Sequence, residues 1–207
     1  MKDFYAENLY YLGPDGSNSH NAVIKFLNLS NVHIKNLIPQ KSIKFAIAEL
    51  ENDKNSTTVL PIENSIEGLV RETIDNVLKI KDFSIKIQGE LALPIKHNLM
   101  AKTDNIKKIK KIYSHPQAFA QCSKYLYEKF PFAEFKEVSS TSYAAEKVSV
   151  ENDDTIAAIA NETCADLFNL NIIENDINDE KDNQTRFYIL GRKTLKLTNK
   201  NKTSVMI

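Results

Sequence analysis

Short apolar runs alternate with helix-period apolar faces over most of this chain. Leu9 to Leu12 is continuously apolar and predicts a buried strand. The GPDGSNS segment behind it is turn chemistry, with glycine and proline where the backbone must bend. Ser19 is the expected N-cap of the next helix, whose apolar face is Ala22, Val23, Phe26 and Leu27. The unit then recurs. Ser42 opens a helix over SIKFAIAELEN, Thr57 to Ile62 reads as a buried strand, ENSIEG as a polar turn and LVRETIDNVLKI as an amphipathic helix.

From Phe83 to Ala101 the period shortens to two, with Ile85, Ile87, Gly89, Leu91 and Leu93 at alternate positions. The stretch exceeds an ordinary strand of about five or six residues, so it predicts a crossing from one lobe to another. Beyond it KIYS, AEFKEVS and TIAAIA read as strands, and PQAFAQCSKYLYEKF, TSYAAEKVS and NETCADLFNL as helices. The polar stretch Glu174 to Gln184 leads into a last strand, RFYILG, and reads as the return crossing. Strands alternating with helices predict an α/β fold with mostly parallel sheets. The expected architecture is two α/β lobes with an interlobe cleft, lobe 1 at about 1–82 plus 185–192 and lobe 2 at about 90–178.

Composition narrows the function. A chain of 207 residues, 42% hydrophobic, is enough for one ordinary domain or two small lobes. Lys plus Arg, 27, balance Asp plus Glu, 27, which argues against the basic face of a nucleic-acid binder. The KKIKK run, Lys107 to Lys111, reads as a solvated helix surface. No apolar run approaches the ~20 residues of a membrane span, and no segment looks like a signal peptide. A cytosolic protein without membrane partners is expected. Cys122 and Cys164 sit in helical apolar patterns and read as buried free thiols. His20, His33, His97 and His115 lack HxxxH or HExxH spacing, so no metal is expected.

The strand-to-helix turns carry hydroxyls and amides: Ser17 and Ser19, Asn64 and Ser65, Ser114, then Ser139 to Ser142. Helix N-termini at the carboxyl ends of parallel strands suit anions such as carboxylates. Each alone reads more readily as a simple N-cap, worth ~1 kcal/mol to its helix, and it is the several turns together that raise the anion-site reading. Dinucleotide, P-loop and GxSxG fingerprints are absent from the sequence.

Taken in order, these segments resemble a known family. YLGPDGSNSH resembles the opening motif of prephenate dehydratases, and VLPIENSIEGLVRETID is similar to their second motif. GELALPIKHNLMA, YSHPQAFAQCSKYL, SSTSYAAE, AAIANETCADLFNL and DNQTRFYILGR follow in the family's order, so the resemblance runs from Leu9 to Arg192. Asn18 departs from it, standing where the family commonly has an aromatic residue.

The resemblance implies a catalytic domain over 1–192, similar to type II periplasmic binding proteins, with its site in the cleft. It implies decarboxylating dehydration of prephenate to phenylpyruvate in phenylalanine biosynthesis, no cofactor, and a homodimer or larger assembly. Two alternatives stay open: the same chemistry on arogenate, and a non-catalytic two-lobed binder of small anions. Family members usually continue into a regulatory ACT domain. Residues 193–207 are accordingly expected to be a linker and the start of such a domain, cut short at NKTSVMI, which would leave catalysis without feedback control.

By the same resemblance Thr185 assists the leaving hydroxyl. A threonine hydroxyl is a poor proton donor, so its expected role is a hydrogen bond to the developing hydroxide. Glu63 is the alternative acid, provided its carboxyl is desolvated. Ser140 and Thr141 are expected to clamp the pyruvyl carboxylate, with Asn64, Ser65, Ser114 and Gln121 as further cleft contacts and Arg186 and Phe187 beside Thr185. Gln117 and Gln121 share a helix face opposite Phe119, Cys122 and Leu126, which lets Gln121 face the cleft. Arg186 alternates to the other strand face if the strand has already begun there.

Overall fold

The computed structural model describes residues 4–29 and 32–192, and these form two mixed sheets with helices packed on them. The chain begins β1 (Phe4–Leu12), α1 (Asn18–Leu27), β2 (Val32–Gln40), α2 (Ile43–Asn52), β3 (Ser56–Asn64), β4 (Gly68–Leu69) and α3 (Arg71–Val77). It crosses through β5 (Lys86–Pro94) and β6 (Asn98–Ala101), then makes a 3-10 turn (Ile106–Lys108), β7 (Lys111–Ser114), α4 (Pro116–Gln121) and α5 (Ser123–Lys129). It ends with β8 (Glu134–Glu137), α6 (Thr141–Glu151), β9 (Ile156–Ala160), α7 (Glu162–Phe168), β10 (Asn171–Glu174) and β11 (Gln184–Gly191).

The first sheet has the order β2-β1-β3-β11-β5, with β4 on β3; the second has the order β10-β6-β9-β7-β8. Each keeps a parallel trio on one side, β2-β1-β3 and β8-β7-β9. The antiparallel strands come from the crossings. β5 leaves the first sheet and β11 returns beside it, so the two run in opposite senses. Residues 95–97 and 175–183 therefore pass side by side. They are stapled by Ile95 N donating to Asn183 O at 2.8 Å, Ile177 N to His97 O at 2.8 Å and His97 N to Asn178 Oδ1 at 2.6 Å.

Side-chain alternation on the first sheet builds two cores. Leu9, Tyr11, Val59, Phe187 and Ile189 pack on α1, and Tyr10, Leu60, Ile62, Tyr188 and Leu190 pack with α2. Burying one such side chain stabilises by about 2 kcal/mol, so β11 is held firmly behind its polar first residues. Thr57 and Thr58 satisfy their buried hydroxyls on the neighbouring strands, at Leu190 O and Tyr10 O. Arg192 ties the end of β11 to Asp82 and to the Glu51 and Asp53 carbonyls near the end of α2.

Several elements differ from expectation. β2 escapes the sequence pattern, because the short alternation of Val32 and Ile34 with His33 and Lys35 breaks at Asn36 on a half-exposed edge strand. The long segment is two strands joined by Ile95–His97, so the first sheet extends to Pro94, beyond the expected lobe edge near 82. The single helix expected over PQAFAQCSKYLYEKF breaks at Cys122 into α4 and α5. NIIE forms an edge strand between the expected helix, which ends at Leu170, and the expected polar crossing. Ser17, not Ser19, caps α1: its Oγ accepts from His20 N, while Ser19 lies buried on the helix. Asn64 and Ser65 lead into a hairpin with β4 rather than directly into α3, whose N-cap position is Val70. Residues 193–207, expected as the start of a further domain, lie outside the described residues. No helix among the described residues is long and apolar enough to cross a membrane.

Candidate functional site

The carboxyl ends of β1 and β3 and the first residues of β11 share one edge of the first sheet. The carboxyl ends of β7 and β9 and the first residue of β6 share one edge of the second. Hydrogen bonds from Asn183 to Gln121, from Asn161 to Gly16 and from Ser142 to Asp15 join these two edges. This is the place where an α/β sheet offers a ligand its loops and helix starts.

A bulge re-aims the key residues. Along β11 the register runs Thr185 to Asn64 and Arg186 to Glu63, then skips Ile62 to pair Phe187 with Pro61. Without the skip, alternation would put Asn64 on the face away from Thr185. With it, Asn64 Nδ2 donates to Thr185 Oγ1 at 2.9 Å and to Asn183 Oδ1 at 2.8 Å. Asn64 itself is fixed by an Asx turn, with Ile66 N and Glu67 N donating to its Oδ1. Asn183 Nδ2 passes on to Gln121 Oε1 at 3.0 Å, and His97 Nε2 lies 3.0 Å from the same oxygen. Thr185, Asn64 and Gln121, from three separate motifs, thus meet in one network.

Other expected residues are placed differently. Glu63 and Arg186 lie on the opposite strand face, with Arg186 Nη1 2.7 Å from Glu63 and Nη2 3.4 Å from Glu90. The Glu63 side chain is 38% exposed and ion-paired, so the desolvation its acid role required is missing. Phe187 is 1% exposed in the core behind Thr185, where it anchors the strand and touches no cleft. Ser65 is exposed and bonds the return crossing at Gln184 and Asp182. Ser114 is fully buried and its hydroxyl donates to Ile159 O. Ser140 caps α6, accepting from Tyr143 N at 3.0 Å, with Thr141 as the first residue of the helix. No hydrogen bond among the described residues links Ser140 or Thr141 to the Thr185 network.

The first turn of lobe 1 plugs into the second lobe. Gly16 has φ +79°, and its carbonyl accepts from Asn161 Nδ2 at 2.6 Å and from Cys164 Sγ at 3.1 Å. A Cβ at Gly16 would lie 2.7 Å from Ser142 Oγ. Burial pushes the Cys164 thiol up to about 12, so it stays a protonated donor in this contact. Cys122 is likewise free, buried and pushed up to about 12 by desolvation.

His97 and Asn183 are the residues that reading the chain passes over as contributors. Each has polar neighbours in sequence, Lys96 and Asn98 or Asp182 and Gln184, yet is nearly fully buried, at 5% and 1% exposure. Desolvation lowers the His97 pKa from the usual 6.5, with the Gln121 hydrogen bond and Asp176 acting in the opposite sense. The unfolded chain takes up a proton here as pH falls below 6.5, while the folded chain resists it. Stability from this site is therefore complete above 6.5 and declines as pH drops from there toward the folded value. His97→Gln is expected to flatten that acid-side slope in urea midpoints measured against pH.

No group of three or more acidic, His or Cys side chains among the described residues has a metal-holding arrangement. A prephenate dehydratase of Methanocaldococcus jannaschii is 42% identical over 183 residues, covering 88% of this chain and 64% of the relative. A bifunctional chorismate mutase/prephenate dehydratase of Aquifex aeolicus is 36% identical over 196 residues, covering 95% and 52%. The crystal structure of prephenate dehydratase from Arthrobacter aurescens, in complex with L-Phe, superposes with TM-score 0.78 at 29% identity, covering 91% of this chain and 61% of that one. The chain spans about half to two thirds of the length of these proteins. The prephenate dehydratase family model matches residues 9–195, nearly the whole chain and every motif of the Thr185 network. On this match and these identities, the chain belongs to the prephenate dehydratase family.

Proposed function

We propose that the chain converts prephenate to phenylpyruvate, carbon dioxide and water in phenylalanine biosynthesis, in the cytosol, as a hydro-lyase. The observation that carries this reading is the hydrogen bond from Asn64 Nδ2 to Thr185 Oγ1. It occupies a lone pair of the hydroxyl and leaves its hydrogen for a ligand.

The reaction breaks two bonds. The ring carboxylate leaves as carbon dioxide, its bonding pair moves into the ring, and the opposite C–O bond breaks to expel hydroxide. Thr185 donates a hydrogen bond to that departing oxygen as charge develops, and a solvent proton completes the water. A fixed donor of this kind is worth ~3 kcal/mol in the transition state. The ring carboxylate loses its charge during the step, so tight pairing to it would favour the ground state. The pyruvyl carboxylate keeps its charge and is the better partner for the first turn of α6, at Ser140 and Thr141. Gln121 supplies a further polar contact. Glu63 and Arg186, paired on the other face, support the strand rather than the reaction.

Incubating the chain with prephenate and, separately, with arogenate tests the reading. Phenylpyruvate is expected from prephenate with the higher kcat/KM. Faster turnover of arogenate to phenylalanine would replace this substrate assignment, and tight binding of both without turnover would leave a binding protein.

A further inference from the structure

We infer that His97 is a positioning residue: as the neutral Nε2–H tautomer it donates to Gln121 Oε1 and holds the Gln121 amide with its NH2 group toward the ligand. This rests on the reaction proposed above. Only one direction is consistent along the chain of hydrogen bonds that reaches His97.

The start of that chain is fixed because backbone N–H groups only donate. Ile66 N and Glu67 N lie 2.9 and 3.1 Å from one side-chain atom of Asn64, so that atom is its oxygen. The other Asn64 atom is its NH2 group, and the Asn183 atom 2.8 Å away must accept. Asn183 therefore shows oxygen to Asn64 and NH2 to Gln121, at 3.0 Å. The Gln121 atom there must be oxygen. His97 Nε2 lies 3.0 Å from that same oxygen, so it must carry the hydrogen. His97 Nδ1 is buried without a partner among the described residues, which suits a bare nitrogen and penalises an N–H there.

The outward consequence concerns charge. With Gln121 Oε1 taken by two donors, its NH2 group is the end left over, and no acceptor among the described residues meets it. Beside a dianionic substrate an N–H donor is favoured over a carbonyl oxygen. The flipped amide would turn a carbonyl oxygen toward an anion. Two backbone amides at Ile66 and Glu67 thus set the polarity of a relay that ends, through Asn183 and His97, on the far side of the cleft.

Nitrogen-15 NMR of the histidines in the full chain tests this, with the His97 signals identified by their loss in His97→Gln. Near neutral pH the expected result is a neutral ring protonated at Nε2; a ring protonated at Nδ1 would overturn the inference. Kinetics add a second readout. In His97→Gln the introduced side-chain amide can place an N–H near the lost Nε2–H, so kcat/KM should stay within about threefold, while His97→Leu should lose about tenfold. Equal losses would also overturn it. Gln121→Glu keeps an acceptor for His97 and Asn183 but replaces the outward NH2 with oxygen, and should lower kcat/KM about a hundredfold with little change in thermal midpoint. Unchanged activity there contradicts the assignment. The tautomer is read without turnover, so an unmodified chain inactive on prephenate would sink the proposed reaction while the NMR still decides the relay.

Discussion

Replacing Thr185 by alanine is expected to lower kcat for prephenate about a hundredfold, with KM changed less than about threefold. The surroundings of the hydroxyl decide this. Thr185 is 8% exposed, its backbone is locked between Asn64 on β3 and Leu93 on β5, and Phe187 and Ile189 anchor the strand behind it. Alanine fits that position without disturbing the strand. What disappears is one donor that is useful only when the leaving oxygen gains charge, so ground-state binding survives. Thr185→Ser restores a hydroxyl within reach of Asn64 Nδ2 but without the methyl that fixes its rotamer. It should recover part of the rate. Equal losses from serine and alanine, or an effect confined to KM, would remove Thr185 from this role.

Gly16→Ala is expected to be the most damaging single substitution outside the network. The added Cβ would lie 2.7 Å from Ser142 Oγ and 3.0 Å from Cys164 Sγ, and φ is +79°. A left-handed alanine alone costs about 1–2 kcal/mol. The contacts add to this, because Ser142 and Cys164 are buried side chains with little room to retreat. The turn must back out of the second lobe, giving up the bonds from Asn161 and Ser142. A total near 3 kcal/mol corresponds to a fall in thermal midpoint of about 10 °C for a chain of this size. Activity should fall as well, since the site draws on both lobes. Adding Ser142→Ala removes the closest contact and should return part of the loss; strict additivity in this pair would mean that the two residues do not meet.

These two cases also mark what is legible in the sequence. Asn64 and Thr185 lie in polar runs that adjoin apolar strands, and it is the family resemblance that gives Thr185 its expected role. The βα rhythm is readable wherever an apolar face is complete, as in TIAAIA and TTVLPI. It fails at β2 and β10, edge strands that bury little and so carry a weak period. The bulge at Ile62 leaves no mark on composition, yet it decides that Asn64 meets Thr185 and that Glu63 meets Arg186. Glu63 reads as a candidate acid on the premise that its carboxyl is desolvated; only the register reveals that it faces Arg186. His97 and Asn183 are invisible for a related reason. Their shared partner, Gln121, lies 24 and 62 positions away, and the sequence neighbours of neither residue reveal it. Gly16 reads as a turn glycine, whereas the absent side chain matters as much for Ser142 as for its own backbone.

The most direct test is the rate of phenylpyruvate formation when the unmodified chain meets prephenate at neutral pH, with no metal or cofactor added. Saturable, enzyme-proportional turnover to phenylpyruvate and carbon dioxide is the predicted result. A rate no faster than the uncatalysed decay of prephenate would contradict the proposed reaction.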